Sequence, residues 1–467
     1  SINVNLQDVA ETALLKAVQQ HKARNGCVVV MEVETGAIKA IANLGRRANG
    51  SYAEIYNYAI GRRTEPGSTF KAAAMLAMLE DGLITPNDTV EVNNGHDMFY
   101  GRHMYDAGGW TKYKELPAWK VFSTSSNVGT AKLADKAYKH NKKKFYQKLE
   151  QFHLTEKTGV PLAGEATPLI KKYDDPNWSN TTIPWVSTGY EVEITPLQTL
   201  TFYNAIANGG KMIKPQLVEK VVDHGKEVKN FKVDVLDKRI ASEKAIEQLT
   251  DMMKKVVEEG TARNIKSPYY TIAGKTGTSK IFDVERNEYV NRYRASFAGF
   301  FPAENPKYSC VVFIEEPSNG LTHGGSVAAP VFKEIADKIM AVDLEMLQPY
   351  NVKSDSANTY LVQTNFKSSV KTYKNLASKM NLKVEHYENA NYLETIINDE
   401  GQVQVKPFDA TNTSIPDLSG MALDEALFIL ENAGVKVSFK GKGKVKAQSI
   451  LPGTNITQNM TIQLQLG

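Results

Sequence analysis

The first regular pattern in the chain is a pair of apolar runs on either side of a turn. Gly26 to Val33 and Ile38 to Asn43 are rich in β-branched and small apolar residues and flank Glu34-Thr35-Gly36-Ala37, which reads as strand, turn, strand. Pro66-Gly67 then interrupts the chain. From Ser68 to Asp81 the Ala, Met and Leu positions fall at helical spacing, which predicts a largely buried helix stopped by Gly82. Further helices are expected after Leu116-Pro117, over Val128 to Lys139, after Thr195-Pro196, where a cap residue precedes proline, and over Ser242 to Glu259. Apolar runs return at Tyr270 to Ala273, Ala295 to Phe301 and Tyr308 to Glu315, and a helix is expected from Pro330 to Met340. Late strands joined to an early hairpin predict one sheet with helices on its faces.

From Gln348 to about Thr413 the pattern turns polar. It offers an amphipathic helix candidate at Ser368 to Met380 and strand candidates at Leu382 to His386 and Gln402 to Val405. Ile415 to Gly467 is more regular, with a helix from Ala422 to Asn432, a Gly434 stop, and β-rich runs at Val435 to Phe439, Lys444 to Ile450 and Thr461 to Leu466. This end of the chain reads as a separate module of one helix on a small sheet.

A length of 467 residues predicts two or three domains and ample core. The apolar share of 42% and charged share of 23% exclude a disordered or fibrous chain, and a net charge of +4 is too small to point to nucleic acid. Cys27 and Cys310 stand far apart, outside any CxxC or His/Cys spacing, and each lies in an apolar run, so they read as buried thiols and exclude a zinc site or a disulfide scaffold. No apolar stretch approaches the ~18 to 20 residues that span a bilayer, and Ser1 to Asp8 has no charged region followed by an apolar core.

Three short patterns carry candidate chemistry. Ser68-Thr69-Phe70-Lys71 puts a hydroxyl and an amine about one helical turn apart on one face. Ser368 and Lys371 repeat the spacing, but in a polar stretch, whereas Ser68 follows Glu65-Pro66-Gly67 at the start of an apolar helix. There the helix dipole and desolvation lower the pKa of Lys71, so a neutral amine can accept the Ser68 proton; taken alone, an N-cap serine is the plainer reading. Ser125-Ser126-Asn127, just before a helix, can aim a hydroxyl and an amide into one cleft, to relay a proton and hold a substrate amide. Ser356-Ala357-Asn358 repeats that spacing, and a helix cap would explain either. Lys275-Thr276-Gly277-Thr278 follows the strand-like Tyr270 to Gly274; lysine and two hydroxyls recognise a carboxylate, and glycine lets an edge strand approach a substrate. Lys157-Thr158-Gly159 repeats it in a turn-like run. Each pattern has a bland reading by itself, but all three in this order and in these settings do not.

Together the patterns resemble the transpeptidase domain of class B penicillin-binding proteins. The resemblance rests on Pro66 to Lys71, Ser125 to Gly129 and Ala273 to Thr278, with Ile194-Thr195-Pro196-Leu197-Gln198, Ala207-Asn208-Gly209-Gly210, and Glu156 to Val160 followed by Gly164-Glu165. It covers about residues 1–346. Ile415-Pro416-Asp417-Leu418-Ser419-Gly420, Glu425-Ala426, Leu430, Gly434, Gly443 to Gln448 and Pro452-Gly453-Thr454 are similar to a PASTA domain, residues 412–467. Residues 347–411 are left as a small α+β connecting segment, with a degenerate PASTA-like module as one reading. The implied fold class is α+β and multidomain: a penicillin-binding-protein/serine β-lactamase-like domain, with a central antiparallel sheet and helices on both faces, followed by small α+β PASTA-like modules.

This resemblance implies a peptidoglycan D,D-transpeptidase. Ser68 is then the nucleophile on the penultimate D-Ala carbonyl of a stem peptide, with Lys71 as its base. Ser125 relays the proton to the leaving amine, Asn127 holds the substrate backbone, and Lys275 supplies the potential that keeps Lys71 neutral. Thr276, Gly277 and Thr278 bind the substrate, and the N–H groups of Ser68 and Thr278 form the oxyanion hole. The implied partners are stem peptides, β-lactam antibiotics that acylate Ser68, and divisome or glycosyltransferase proteins. No cofactor, metal or nucleic acid is implied. A PASTA module points to a septal, FtsI-like enzyme. Such proteins carry a membrane anchor and a pedestal ahead of the equivalent of residue 1, so all the residues here are expected on the extracytoplasmic side. A β-lactam-hydrolysing or β-lactam-sensing relative, a D,D-carboxypeptidase and a non-catalytic wall-binding scaffold stay open, although no Glu-x-x-Leu-Asn run of class A β-lactamases lies between Asn127 and Lys275.

Overall fold

A computed structural model describes residues 2–107, 112–223, 226–283, 285–342, 367–370, 392–397, 403–408 and 413–467. The chain divides into two compact units, Ser1–Met346 and Leu347–Gly467. No helix among the described residues is long and apolar enough to cross a membrane.

The first unit is organised by one antiparallel sheet. Its strands are β1 (Asn25–Glu32), β2 (Ile38–Arg46), β3 (Tyr52–Ala53), β4 (Ala273–Asp283), β5 (Glu288–Phe301) and β6 (Tyr308–Glu315), in the spatial order β4-β5-β6-β1-β2-β3. β4 is therefore an edge strand. The helices that matter for the site are α1 (Val4–Gln20), α2 (Lys71–Glu80), α3 (Asn127–Tyr138), α4 (Pro196–Ala207), α5 (Glu243–Glu258) and α6 (Ala329–Val342).

β6 shows why both faces of the sheet are covered. Every residue after Tyr308 is buried, the continuous apolar run of a strand packed on two sides. On one face Ser309 donates to Asn204 Oδ1 of α4 at 2.7 Å. Side chains of neighbouring residues turn to the opposite face. There Phe297, the β5 partner of Val312, meets Phe332 of α6 with ring centroids 4.7 Å apart. α1 lies on this second face, where Leu14 and Val18 press so close to Gly26 of β1 that a side chain there would crowd them. Cys27 and Cys310 are fully buried free thiols, held protonated by that burial.

The expected hairpin, the helix after Thr195 with its Thr195/Gln198 capping box, and β6 agree with the pattern of the sequence. Three elements differ. Tyr270 to Ile272 lie ahead of β4, which starts at Ala273, so the strand expected at Tyr270 to Ala273 begins later, while the Lys275–Thr278 run sits on an edge strand as expected. β5 begins at Glu288 rather than Ala295, because its first half pairs with Ile281–Asp283 in a ribbon that is largely exposed and carries no apolar alternation. Gly67–Phe70 is a 3-10 turn, and the α-helix expected from Ser68 begins only at Lys71.

In the second unit, β7 (Lys367–Ser369), β8 (Tyr392–Ile397) and β9 (Val403–Phe408) form an antiparallel sheet. β9 overlaps the strand expected at Gln402 to Val405. Ser368 and Ser369, expected to open a helix, belong to β7; the rest of that candidate beyond position 370, and Leu382 to His386, lie outside the described residues. Residues 413–467 form their own core. Helix α7 (Leu423–Asn432) packs Ala426 and Leu430 onto Ile462 and Leu464 of β12 (Thr461–Leu466), which runs between β10 (Lys436–Lys440) and β11 (Val445–Gln448). β12 alternates exposed and buried residues, as a strand with one face in water must.

The two cores share no residue, so Leu464→Ala should lower the unfolding free energy of the C-terminal module by about 2 to 5 kcal/mol and leave the main transition in place. Calorimetry would read this as one shifted peak. Equal shifts in both transitions would show that the cores do not melt separately.

Candidate active site

The segment that carries Ser68 is pressed against the edge strand. In a 3-10 turn residues three apart eclipse one another, which sets Ser68 and Lys71 on one side. Gly67 enters the turn at φ +56°, and a Cβ there would crowd Ser279 and the Thr278 carbonyl. Its N–H donates to Gly189 O at 3.1 Å, and a side chain on Gly189 would collide with the Gly67 carbonyl. Ser279 Oγ donates to Glu65 O at 3.1 Å, and Tyr203 Oη donates to Thr69 O at 2.8 Å. Gly277 was expected to let the strand approach a substrate. Its missing side chain makes room instead for Ser296, Pro66 and Thr69, and so for the serine's own segment.

Lys71 is fully buried at the start of α2. Its Nζ donates to Ser125 O at 2.6 Å and to Asn127 Oδ1 at 2.7 Å, and lies 3.3 Å from Ser125 Oγ. The first two patterns of the sequence therefore meet at one amine. These contacts of the Lys71 amine are all with Ser125 and Asn127, and none is with the Ser68 hydroxyl. Ser125 sits at φ +60°, a left-handed conformation that costs a non-glycine residue energy and that turns its carbonyl and hydroxyl together toward Lys71.

What holds that loop is Asp106, which the sequence reading missed. Its Oδ2 accepts from Ser126 Oγ at 2.6 Å, and its Oδ1 accepts from Asn127 N at 2.6 Å and Val128 N at 2.9 Å. A carboxylate thus caps the N-terminus of α3 together with the N-cap residue Ser126. The neighbouring Tyr105 carbonyl accepts from Asn127 Nδ2 at 2.9 Å, fixing which way the amide faces. Asp106 lies twenty positions from Ser126, and an aspartate ahead of Ala107 reads in the sequence as an ordinary turn residue.

The third pattern closes the site. Lys275 is also fully buried; its Nζ donates to Thr276 O at 3.1 Å and lies 5.6 Å from the centre of the Phe122 ring. Thr276 Oγ1 lies 2.6 Å from Thr261 Oγ1, and Thr278 Oγ1 accepts from Gly324 N at 3.0 Å, which leaves its proton free to donate. Ser68, Ser125, Asn127, Thr276 and Thr278 line one cleft of about 670 Å³, with Tyr190, Arg263 and His323 among its other walls. Lys71, Lys275 and Gly277 lie beneath that lining.

Burial pushes the Lys71 amine down to about 7, and the Asp106 carboxylate pulls against it. The Lys275 amine is lowered too, by its own burial first and by Lys71 second. Desolvation thus does much of the work that the sequence reading assigned to the charge of Lys275.

Residues 26–337 match the family of the penicillin binding protein transpeptidase domain, and residues 413–467 match the PASTA domain. The chain is 31% identical over 357 residues to penicillin-binding protein PbpB of Mycobacterium tuberculosis, covering 71% of this chain and 50% of the relative. It is 29% identical over 370 residues to the peptidoglycan D,D-transpeptidase FtsI of Escherichia coli, covering 77% and 57%. The chain thus spans little more than half the length of these curated relatives. The crystal structure of penicillin-binding protein 3 from M. tuberculosis complexed with aztreonam superposes with a TM-score of 0.65 at 28% identity, over 74% of this chain and 79% of that one. The sheet with helices on both faces, the convergence of the three patterns and the match across two thirds of its length assign this chain to the penicillin-binding protein transpeptidase family, with a PASTA domain at its C-terminal end.

Proposed function

We propose that the chain is a peptidoglycan D,D-transpeptidase acting in cell division, which cross-links stem peptides through an acyl-enzyme on Ser68 and is inhibited covalently by β-lactams. The observation that carries this reading is the buried Lys71 amine, bonded to Ser125 and Asn127 at the base of the cleft that Ser68 lines. A neutral amine has two N–H donors and one lone pair. Ser125 O and Asn127 Oδ1 take the donors, so the lone pair is left for a hydroxyl.

Ser68 Oγ attacks the carbonyl of the penultimate D-Ala as its proton passes to Lys71. The N–H groups of Ser68 and Thr278 receive the oxyanion, each worth roughly 3 to 4 kcal/mol. Ser125 returns the proton to the departing D-Ala amine. Thr276 and Thr278 hold the substrate carboxylate, Gly277 keeps their strand against the serine's segment, Asn127 orients the substrate backbone, and Lys275 adds positive potential. An amine from a second stem then takes the acyl group and frees Ser68. The relatives named for D,D-transpeptidase activity and the aztreonam complex support this chemistry.

Hydrolysis needs a base for water, and the only carboxylate among the described residues of the cleft wall is Asp106. Both its oxygens are committed to Ser126, Asn127 and Val128. This favours a long-lived acyl-enzyme over a β-lactamase. By the same family resemblance the protein acts on the extracytoplasmic side of the membrane through an anchor ahead of residue 1, beside divisome or glycosyltransferase partners. Residues 347–411 are a degenerate PASTA-like module in this reading, since β8 and β9 pair antiparallel as β11 and β12 do.

Incubation with a penicillin should add the mass of one antibiotic per chain, stable over minutes and absent from Ser68→Ala. A fast return to the original mass would mark a β-lactamase, and no adduct would mark a scaffold. The rate of adduct formation should rise as pH climbs through about 7, where Lys71 loses its proton. The charged neighbour acting on that amine is Asp106. Asp106→Asn removes the charge that favours the ammonium form, so the rise should move to lower pH; superimposable profiles would mean that Asp106 does not act on Lys71. Lys71→Ala should slow acylation by about 10²- to 10⁴-fold, read as the second-order rate of adduct formation.

A further inference from the structure

Residues 64–67, the approach to the nucleophile's turn, run antiparallel to residues 189–194, the segment that puts Tyr190 into the wall of the cleft. Backbone bonds close this seam at both ends. Thr64 N donates to Ile194 O at 3.0 Å and Ile194 N to Thr64 O at 3.1 Å, while Gly67 N donates to Gly189 O at 3.1 Å. In the middle the tie is a side chain: Glu65 Oε1 accepts from Glu191 N at 3.0 Å and from Tyr289 Oη of β5 at 2.7 Å.

This carboxyl group comes at a cost. Arg294, the cation that acts on it, is paired instead with Glu315 at 3.2 Å. Burial pushes the pKa of Glu65 up, against the pull of its bonds to Tyr289 and Glu191. Its second oxygen, Oε2, is buried without a hydrogen-bond partner among the described residues. Leaving a carboxyl oxygen buried and unpartnered weakens a fold.

What the group fixes is one ring. Tyr190 stands between Gly189 and Glu191, lines the cleft with Ser68, and meets the Tyr289 ring edge-on with centroids 5.5 Å apart. Glu191 sits at φ +58°, a conformation that a non-glycine residue keeps only where its surroundings determine it. Here Glu65 holds its N–H, and Lys171 at 2.8 Å and Arg102 at 3.5 Å hold its carboxylate. Glu65 lies three residues ahead of Ser68, and its own carbonyl accepts from Ser279 Oγ of β4 at 3.1 Å. One residue thus joins the serine's segment, the edge strand, β5 and the Tyr190 segment.

We infer that Glu65 is a positioning residue, whose carboxyl group sets where the Tyr190 ring stands relative to Ser68 and so governs how a ligand is bound ahead of acylation. This rests on the transpeptidase reading. An acceptor is all that the two donors require, and the amide oxygen of a glutamine supplies one. The nucleophile's turn keeps its backbone bonds to Gly189 and to the Tyr203 hydroxyl whatever side chain stands at 65, so binding and chemistry are separable.

The test resolves acylation by a penicillin into its half-saturating concentration and its limiting rate, followed by intact mass. Glu65→Ala should raise the half-saturating concentration roughly tenfold, as the loss of a buried hydrogen-bond acceptor does, and leave the limiting rate nearly unchanged. Glu65→Gln should restore the wild-type value. Tyr190→Ala should raise the half-saturating concentration by itself, and Glu65→Ala added to it should raise it no further, because a residue that acts through another has no effect once that other is gone. Additive effects, a limiting rate that falls while half-saturation stays, or a Glu65→Gln protein as impaired as Glu65→Ala overturns the assignment. Tyr289→Phe removes one of the two donors and should shift the half-saturating concentration in the same direction; if Glu65→Ala does not fold, an unchanged value in Tyr289→Phe overturns the assignment in its place. No adduct on the wild type defeats the transpeptidase reading and this inference with it, whereas an adduct with additive effects defeats this inference alone.

Discussion

An amine that cannot reach water controls this structure. Bringing Lys71 from its ordinary value to about 7 corresponds to roughly 5 kcal/mol of lost preference for the charged form. That is a large share of the stability of a typical domain. The energy has to come from burial: the amine stands at the start of an apolar helix and is shut off from water. Asp106 tempers the effect. Its position, bonded to Ser126 and to the first turn of α3, ties the charge state of the base to the conformation of the loop that supplies the acceptors.

The groups around the amine come from three distant parts of the chain, and rigidity comes from where each is attached. Ser68 sits on a turn, with Lys71 directly after it, that is clamped to the edge strand through Gly67 and Ser279 and to α4 through Tyr203. Ser125 and Asn127 stand at a helix N-terminus closed by a carboxylate. Lys275 belongs to β4, whose outer edge is free of any partner strand within the sheet. A strained backbone at Ser125 persists because its neighbours determine it from both sides.

The sequence made the site largely legible because its chemistry lies in short patterns whose settings, a breaker before an apolar helix, a cap before another and a strand, can be read locally. The central strands and most helices were legible for the same reason. α1 went unread although Ala10, Ala13, Leu14, Ala17 and Val18 repeat at helical spacing; its small residues give a weak apolar signal. The start of β5 was hidden because two exposed strands that pair only with each other need no alternation. The 3-10 turn at Ser68 was hidden because it follows from contacts with β4 and Gly189, far off in sequence. Asp106 escaped for a related reason: a carboxylate that bonds to backbone N–H groups twenty residues away leaves no local mark.

The contact between Gly67 and Gly189 has a bearing on how this protein can change. Gly189 has no space for a side chain, and Gly67, in the nucleophile's own turn, combines a positive φ with close contacts to Ser279 and Thr278. Inherited variation that retunes which molecules are accepted is therefore channelled to the rim, to positions such as Tyr190, Arg263 and His323 that look into the opening. The nucleophile's turn is closed to larger residues by sterics while the mouth of the cleft is open to them.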